Sequence, residues 1–353
     1  MAQSLRLELI VMASLSAKFA VFGAALATTV YAFRQAARQR RRIDFDCKVV
    51  VIAGASRGLG LELARAFADE GANLVLLARD QHNLAQSARE LERLGIQVTP
   101  MVCDISDQRQ VRQTIASIIH EKGKIDVLVN NAGIIQVSPV ENMELEDYQA
   151  AMAVHFWGPL YLVQEIIPHM KERRQGRIVN IASIGGKVAV PHLLPYVASK
   201  FALVGLSEGL RAELVKDGIY VTTVCPGLMR TGSHLNAIFK GQHRKEYALF
   251  AIANASPLLS TTSQSAARKI IDACRYGEPG IVITPQAGFL RLANSLFPGL
   301  MAETFAIVNR LLPQARDHEV ARPRRGVESR SVMSPSWLTG PADRAAARNN
   351  EVL

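Results

Sequence analysis

A tyrosine and a lysine four residues apart, Tyr196 and Lys200, are well suited to proton transfer, and Ser183 lies a short distance upstream. Side chains at i and i+4 lie on one face of a helix, one turn apart. A free phenol has a pKa of about 10, and a nearby ammonium favours the phenolate and brings the group toward useful acid–base range. A serine hydroxyl can hold a carbonyl or alcohol oxygen against that phenol. The set predicts proton transfer at a carbon–oxygen bond, with hydride arriving from elsewhere, although this spacing also occurs in ordinary surface helices.

A source of hydride is indicated by the segment 49–67. Val49–Ala53 is a short β-branched run typical of a buried strand, and residues 61–67 have helical periodicity. Between them lies the sequence G-A-S-R-G-L-G. Glycines let the backbone approach phosphate, and the N-terminus of the following helix favours its charge. This context predicts a dinucleotide site formed by Gly54, Ser56, Arg57, Gly58, Leu59 and Gly60.

Together these motifs resemble the short-chain dehydrogenase/reductase family over residues 46–285. Further motifs follow in the family's order: N-N-A-G at 130–133, Asp104 after a strand-like stretch, and Pro226-Gly227 followed by Thr231. The resemblance implies catalytic roles for Ser183, Tyr196 and Lys200. It also implies that the cofactor is contacted by Asp104, Asn131, Ala132, Gly133, Tyr196, Lys200, Pro226, Gly227 and Thr231.

The residues after the second predicted strand favour NADP(H) over NAD(H). In dinucleotide folds, an acidic residue at this point binds the ribose 2′-hydroxyl, whereas arginine accommodates a 2′-phosphate. Here the strand ends in Ala78-Arg79, and Arg57 supplies a second cation. Asp80 follows one residue late, and we interpret it as a helix N-cap.

One position departs from the family pattern. Where the family commonly has asparagine in a helix behind the active site, this chain has His155, within V-H-F-W-G. Histidine also donates and accepts protons, so it is a candidate for a modified proton relay. The main hypothesis is an NADP(H)-dependent oxidoreductase that interconverts a carbonyl and a secondary alcohol. The alternative is a membrane-attached NADP(H)-binding sensor or scaffold with little turnover.

The first 43 residues are interpreted as a hydrophobic anchor with a basic flank. The stretch 9–33 is apolar except for Lys18, and about 25 such residues can span a bilayer. Arginines follow at once, so the positive-inside rule predicts a single-pass protein with a cytoplasmic catalytic domain. An interfacial or buried helix is the alternative, and a cleaved secretory peptide fits less well.

Alternating strand and helix patterns over 44–286 predict an α/β fold, a doubly wound parallel sheet of Rossmann type. Two apolar helical segments are expected in 287–313, which either lie on a membrane or form a cap or an oligomer interface. The basic residues 314–353 are expected to be disordered. The segment 228–262 is expected either to close over a hydrophobic substrate or to belong to the core. The resemblance also implies a homodimer or homotetramer.

The distribution of charge and the spacing of the cysteines argue against a nucleic-acid-binding protein, a disulfide-rich protein and a metalloprotein. The net charge is +10, but residues 1–42 carry +6 and residues 314–353 carry +2, which leaves the central region nearly neutral. The basic residues therefore lie outside the folded domain, and we expect no nucleic-acid partner. The four cysteines have no paired spacing, so we expect no disulfide framework and no metal site.

Overall fold

A computed structural model describes residues 22, 25–93, 95–315, 322–330 and 339–352. Residues 44–353 form one unit, and residues 1–43 form another. The strands are β1 Val49–Ala53, β2 Asn73–Ala78, β3 Val98–Val102, β4 Val127–Asn130, β5 Gln136–Val137, β6 Gly176–Ile181, β7 Ile219–Cys225, β8 Leu228–Arg230, β9 Ile238–Phe239, β10 Ser260–Thr262, β11 Gly280–Val282 and β12 Arg324–Arg325.

The helices alternate with these strands, as expected for a doubly wound fold. They are α1 25–40, α2 Gly58–Ala68, α3 Gln81–Glu92, α4 Gln108–Lys122, α5 Leu145–Met152, α6 Gly158–Glu172, α7 Leu194–Leu214, α8 His243–Ala255, α9 Ser263–Arg275, α10 Pro285–Leu296, α11 Pro298–Leu311 and α12 Gly340–Arg348. The Asp80 carboxylate accepts the backbone N–H of Asn83, which confirms Asp80 as the N-cap of α3.

The main sheet is parallel and seven-stranded, in the order β3-β2-β1-β4-β6-β7-β11. All five residues of β1 are buried, because helices cover both faces of the sheet and leave no polar side to alternate with an apolar one. The strand order reverses beside β1, where β2 lies on one side and β4 on the other. Ligands of open α/β sheets bind at such a switch point, beyond the carboxyl ends of the strands.

A π-helical turn at Ala153–Trp157 separates α5 from α6, where the sequence predicts one helix over 145–173. The inserted turn has the same apolar composition as its flanks, so hydrophobic periodicity did not reveal it. Such turns rotate the following side chains relative to a regular helix and are frequent at functional sites. His155 lies in this turn, with 0% of its surface exposed.

The prediction of disorder for 314–353 is wrong for part of that stretch. Within the described residues, β12 pairs with β9, and α12 packs on α8. Ala342 and Ala346, four residues apart on α12, are fully buried. Two alanines on one face do not produce a recognisable helical pattern of apolar residues. Their small side chains nevertheless let α12 pack closely against the domain.

The two helices expected after the last strand of the sheet are present as α10 and α11. No residue of α11 is buried. Large apolar side chains of this helical pair are exposed to solvent, namely Phe289, Leu292, Leu296, Phe297, Leu300, Ile307, Val308 and Leu311. Among the described residues, no helix combines the length and apolar character needed to cross a bilayer. Most of the predicted anchor at 9–33 lies outside those residues.

Candidate functional site

A cleft of about 520 Å³ opens at the carboxyl ends of the central strands. It brings together almost every site residue expected from the sequence: Gly54, Ser56, Arg57, Gly58, Leu59, Arg79, Asp104, Asn131, Ala132, Gly133, His155, Ser183, Tyr196, Lys200, Pro226, Gly227 and Thr231. Gly60 is the exception, because it lies beneath the turn and does not line the cleft. The cleft thus joins the glycine turn to the tyrosine and lysine.

The glycine turn is tightly packed against the neighbouring strand. Gly54 has φ +77°, and a Cβ there would lie 2.6 Å from the Cα of Ala132. A Cβ on Gly60 would lie 1.9 Å from the backbone oxygen of Gly54. The Asn131 side-chain amide donates to that same oxygen at 2.9 Å. The turn therefore requires glycine at both positions, and it exposes the N-terminus of α2 to the cleft as a phosphate cradle.

The three candidate catalytic side chains meet where β6 ends and α7 begins. The Tyr196 and Ser183 side chains lie side by side, because a Cβ on Gly185 would lie 3.3 Å from Tyr196 Cε1 and 3.4 Å from Ser183 Oγ. Ser183 Oγ also accepts the Gly185 N–H at 3.0 Å. Lys200 Nζ donates to the Ile181 carbonyl at 2.8 Å and lies 5.7 Å from the centre of the Tyr196 ring. The phenol and the serine hydroxyl can therefore share one substrate oxygen.

Burial governs the electrostatics of this pair. Removal from water raises the pKa of the Tyr196 phenol, and the neighbouring Ser183 hydroxyl acts in the opposite direction. The same desolvation lowers the pKa of Lys200 to about 7. Near neutral pH, the lysine therefore carries less positive charge than a free ammonium. Burial thus opposes the expected lowering of the tyrosine pKa by Lys200.

A buried polar chain holds α7 against the sheet. The Asn180 side-chain amide donates to Ser207 Oγ at 3.0 Å, and Thr223 Oγ1 donates to the same atom at 2.7 Å. The side-chain amide of Asn130 donates to Asn180 Oδ1 at 2.8 Å. These contacts join β4, β6 and β7 to the helix that carries Tyr196 and Lys200. Buried hydrogen bonds are strengthened by the low local dielectric, so they hold α7 firmly against the sheet.

His155 is engaged through both ring nitrogens. Its Nε2 accepts the Ile134 N–H at 3.1 Å, which leaves the proton on Nδ1 for the Ser199 hydroxyl 2.7 Å away. Ser199 in turn donates to the Tyr196 carbonyl. Burial, together with the charge of Lys200, holds the His155 pKa well below its usual value. His155 is therefore a neutral residue that positions the helix of Tyr196, and a relay through it stays a prediction.

The two cations expected to select the cofactor lie at the edge of the cleft. Arg79 has a 62% exposed side chain, 3.7 Å from the Asp104 carboxylate. Asp104 Oδ1 also accepts hydrogen bonds from the backbone N–H and hydroxyl of Ser106. Arg57 also lines the cleft, with Nε 3.7 Å from the Glu351 carboxylate.

Sequence reasoning missed Arg325 and Glu351, which also line the cleft. Glu351 is 5% exposed. Burial raises the pKa of its carboxyl, while Arg57 and Asn236 act in the opposite direction. The spacing of Ala342 and Ala346, which are buried on one face of α12, was too weak a signal to predict that residue 351 reaches the glycine turn.

The segment 228–262 contributes mainly to a second small core. Leu235, Phe239 and Tyr247 are buried there with Ala346 of α12. Met229 of this segment lines the cleft, whereas Leu258 is 80% exposed. Leu235, Phe239 and Tyr247 therefore have the core role, and Met229 is the large apolar side chain of this segment that lines the cleft.

Comparison with known proteins identifies the family. The sequence profile of the short chain dehydrogenases matches residues 48–238. The dehydrogenase/reductase SDR family member 7B of Mus musculus is 32% identical over 279 residues, which cover 76% of this chain and 85% of that protein.

Two solved structures share the fold. L-sorbose reductase from Gluconobacter frateurii, complexed with NADPH and L-sorbose, gives a TM-score of 0.62 at 27% identity, over 70% of this chain and 99% of that one. A short chain dehydrogenase/reductase from Burkholderia phymatum, in complex with NAD, gives a TM-score of 0.66 at 26% identity, over 73% and 96% of the two chains. Structural neighbours therefore bind either nicotinamide cofactor. By profile, sequence identity and fold, the chain belongs to the short-chain dehydrogenase/reductase family of oxidoreductases.

Proposed function

We propose that the protein is an NADP(H)-dependent oxidoreductase that interconverts a carbonyl and a secondary alcohol. The observation that carries this proposal is that Tyr196, Ser183 and Lys200 line one cleft, which continues to the glycine turn. The residues present fit a dinucleotide, because Gly54 leaves no room for a side chain and the N-terminus of α2 faces the cleft. When bound, the cofactor supplies or accepts hydride.

The protein's own groups manage the proton. In the reductive direction, Ser183 Oγ holds the substrate oxygen, and Tyr196 Oη donates its proton to it as negative charge develops there. In the oxidative direction, Tyr196 accepts that proton. Lys200 donates a hydrogen bond to the Ile181 carbonyl. In its protonated form, the Lys200 ammonium stabilises the Tyr196 phenolate. The neutral His155 holds α7, and with it Tyr196, in position through Ser199.

NADP(H) is proposed as the cofactor because two cations, Arg57 and Arg79, line the cleft near the end of β2. A guanidinium binds a 2′-phosphate by paired, charge-assisted hydrogen bonds. The Arg79 side chain is largely exposed, so it can turn toward such a group at little cost. Its contact with Asp104, at 3.7 Å, is an exposed ion pair and a weak competitor.

Arg79→Ala is expected to raise the KM for NADPH by about tenfold or more, while the KM for NADH changes by less than about twofold, since charge-assisted hydrogen bonds contribute about 1.5–3 kcal/mol. Steady-state kinetics with both cofactors measure this difference. Arg268→Ala is the matched control, because Arg268 is an exposed arginine that does not line the cleft. Equal effects of Arg79→Ala on the two cofactors would contradict the choice of NADP(H).

A hydrophobic carbonyl or alcohol is the proposed substrate. Apolar side chains line the cleft close to the catalytic group, namely Ile134, Ile135, Val154, Ile181 and Met229. Steroid, retinoid, fatty acyl and small xenobiotic carbonyls all have this chemistry. The test is NADPH consumption by detergent-purified protein across a panel of hydrophobic aldehydes and ketones. NADPH binding without turnover of any member would favour the sensor over the enzyme.

Membrane attachment through residues 9–33, with the catalytic domain cytoplasmic, is part of the same proposal. The apolar sequence and its arginine flank support it, and so do the exposed apolar side chains of α10 and α11. The full-length protein is expected to stay in the membrane pellet after a carbonate wash. Release into the supernatant would contradict a membrane-spanning anchor.

A further inference from the structure

The N-terminus of α2 is contacted by a distant part of the chain, residues 339–352, called here the 339–352 segment. The carbonyl oxygen of Asn349 accepts the Gly58 N–H at 2.8 Å. Gly58 is the first residue of α2, and the first N–H groups of a helix have no partner within it. These are the donors that a helix N-terminus offers to a phosphate. The segment therefore uses a donor of the phosphate cradle.

Glu351 adds a negative charge at the same place. A Cβ on Gly58 would lie 2.6 Å from Glu351 Oε1, so the carboxylate lies directly against the turn. Its Oε2 is 3.7 Å from Arg57 Nε and accepts a hydrogen bond from Asn236 at 2.6 Å. A carboxylate and a phosphate at this N-terminus would repel each other and compete for Arg57.

The segment is held by several elements of the domain. Asn349 is fully buried, accepts from Arg65 Nη1, and donates to the Thr231 carbonyl and to Ser263 Oγ. Ala346 is fully buried against Gly232, where an added Cβ would lie 2.4 Å from the Ala346 Cα. Asn350 donates to Ser87 Oγ of α3. These contacts tie the segment to α2, α3, α9 and residues 231–232.

We propose that the 339–352 segment is an autoinhibitory strap, which occupies the phosphate end of the cleft and must move away before the dinucleotide binds. The Asn349 carbonyl oxygen occupies the position of a phosphate oxygen at the Gly58 N–H. The Glu351 carboxylate occupies the position of the negatively charged phosphate beside Arg57. This inference rests on the proposed use of the cleft for NADP(H). Release of the strap would then control cofactor occupancy.

The test compares two neighbouring substitutions in the full chain, with NADPH as the probe. Ala346→Asp places a charge in the buried contact with Gly232 and is expected to release the strap. Ala347→Asp makes the same change at an exposed position of α12 and serves as the control. If the released form is about a tenth of the wild-type population, Ala346→Asp should lower the apparent Kd for NADPH about tenfold, and Ala347→Asp should leave it unchanged.

Two further measurements keep the test decisive if Ala346→Asp disturbs folding. Glu351→Gln keeps the shape of the side chain and removes its charge, so it should lower the Kd by a smaller factor. Hydrogen exchange of the α12 amides in the wild-type protein should become faster when NADPH is added, because the cofactor displaces the strap.

Slower exchange of α12 with NADPH, or weaker binding by the released variant, would overturn the strap and make the segment a wall of the cofactor site. If hydrogen exchange shows that Ala346→Asp has released the segment but its Kd for NADPH equals that of the wild type, the segment does not compete with the cofactor. That result would overturn the strap and leave the cofactor proposal intact. Failure of the wild-type protein and all variants to bind NADPH would overturn both proposals together.

Discussion

Tyr196→Phe is expected to reduce kcat by about 10²–10⁴-fold, the usual contribution of a positioned general acid or base. The Tyr196 ring is partly buried and packs edge-on against His155, with ring centroids 5.4 Å apart. Phenylalanine retains this packing and removes only the phenol oxygen. The Kd for NADPH should therefore change by less than about threefold, so the loss appears in turnover alone.

The measurement is NADPH oxidation with the best aldehyde or ketone of the panel, beside cofactor binding by fluorescence. Tyr161→Phe is the matched control, because Tyr161 stacks on Trp157 and does not line the cleft. Substantial turnover by Tyr196→Phe with an unchanged range of substrates would show that another group transfers the proton. A sensor would lose its biological effect with Arg57 or Arg79 variants and keep it with Tyr196→Phe.

Gly60→Ala is the second substitution with a large expected effect, on both stability and cofactor binding. The added Cβ would lie 1.9 Å from the Gly54 oxygen and 2.6 Å from the Asn131 side-chain amide. Neither contact is tolerated, so α2 must move away from β1 and break the hydrogen bond between Asn131 and Gly54. We expect the free energy of unfolding to fall by about 2–3 kcal/mol, as for other overpacked sites, and NADPH binding to weaken strongly.

Denaturant unfolding and NADPH titration measure the two effects. Gly288→Ala is the control, since Gly288 lies inside α10 and a Cβ there has no neighbour within 4 Å. That substitution should be neutral or stabilise by about 0.5–1 kcal/mol, because alanine loses less backbone entropy in a helix. If Gly60→Ala were as stable as wild type and still bound NADPH, the close packing of the turn would have no role in forming the cradle.

The sequence predicted the sheet closely, and the physical reason is the burial of each strand. Val49–Ala53 and residues 74–78 are β-branched or aliphatic throughout, which is typical of strands covered on both faces. Short turns between strand and helix then leave few arrangements other than a doubly wound sheet. The motifs lie at the carboxyl ends of these strands, so their meeting in one cleft also followed from the sequence.

The π-helical turn at His155 was beyond sequence reasoning. The extra residue of a π-helical turn changes the direction in which the His155 side chain points. Nothing in V-H-F-W-G distinguishes that turn from a regular helix. Its consequence is chemical. His155, which the sequence makes a candidate for proton transfer, is buried and neutral, with Ile134 and Ser199 hydrogen-bonded to its two ring nitrogens.

The sequence by itself determined the fold, the family and the identities of the candidate catalytic and cofactor-binding residues, because these depend on local patterns of burial and on motifs of fixed spacing. The tertiary structure decided two further features. It showed that burial lowers the Lys200 pKa to about 7, which depends on the whole surrounding core. It also placed Glu351 against Gly58 and Arg57, almost 300 residues away along the chain. Such contacts arise from packing between distant segments, and no local pattern of residues encodes them.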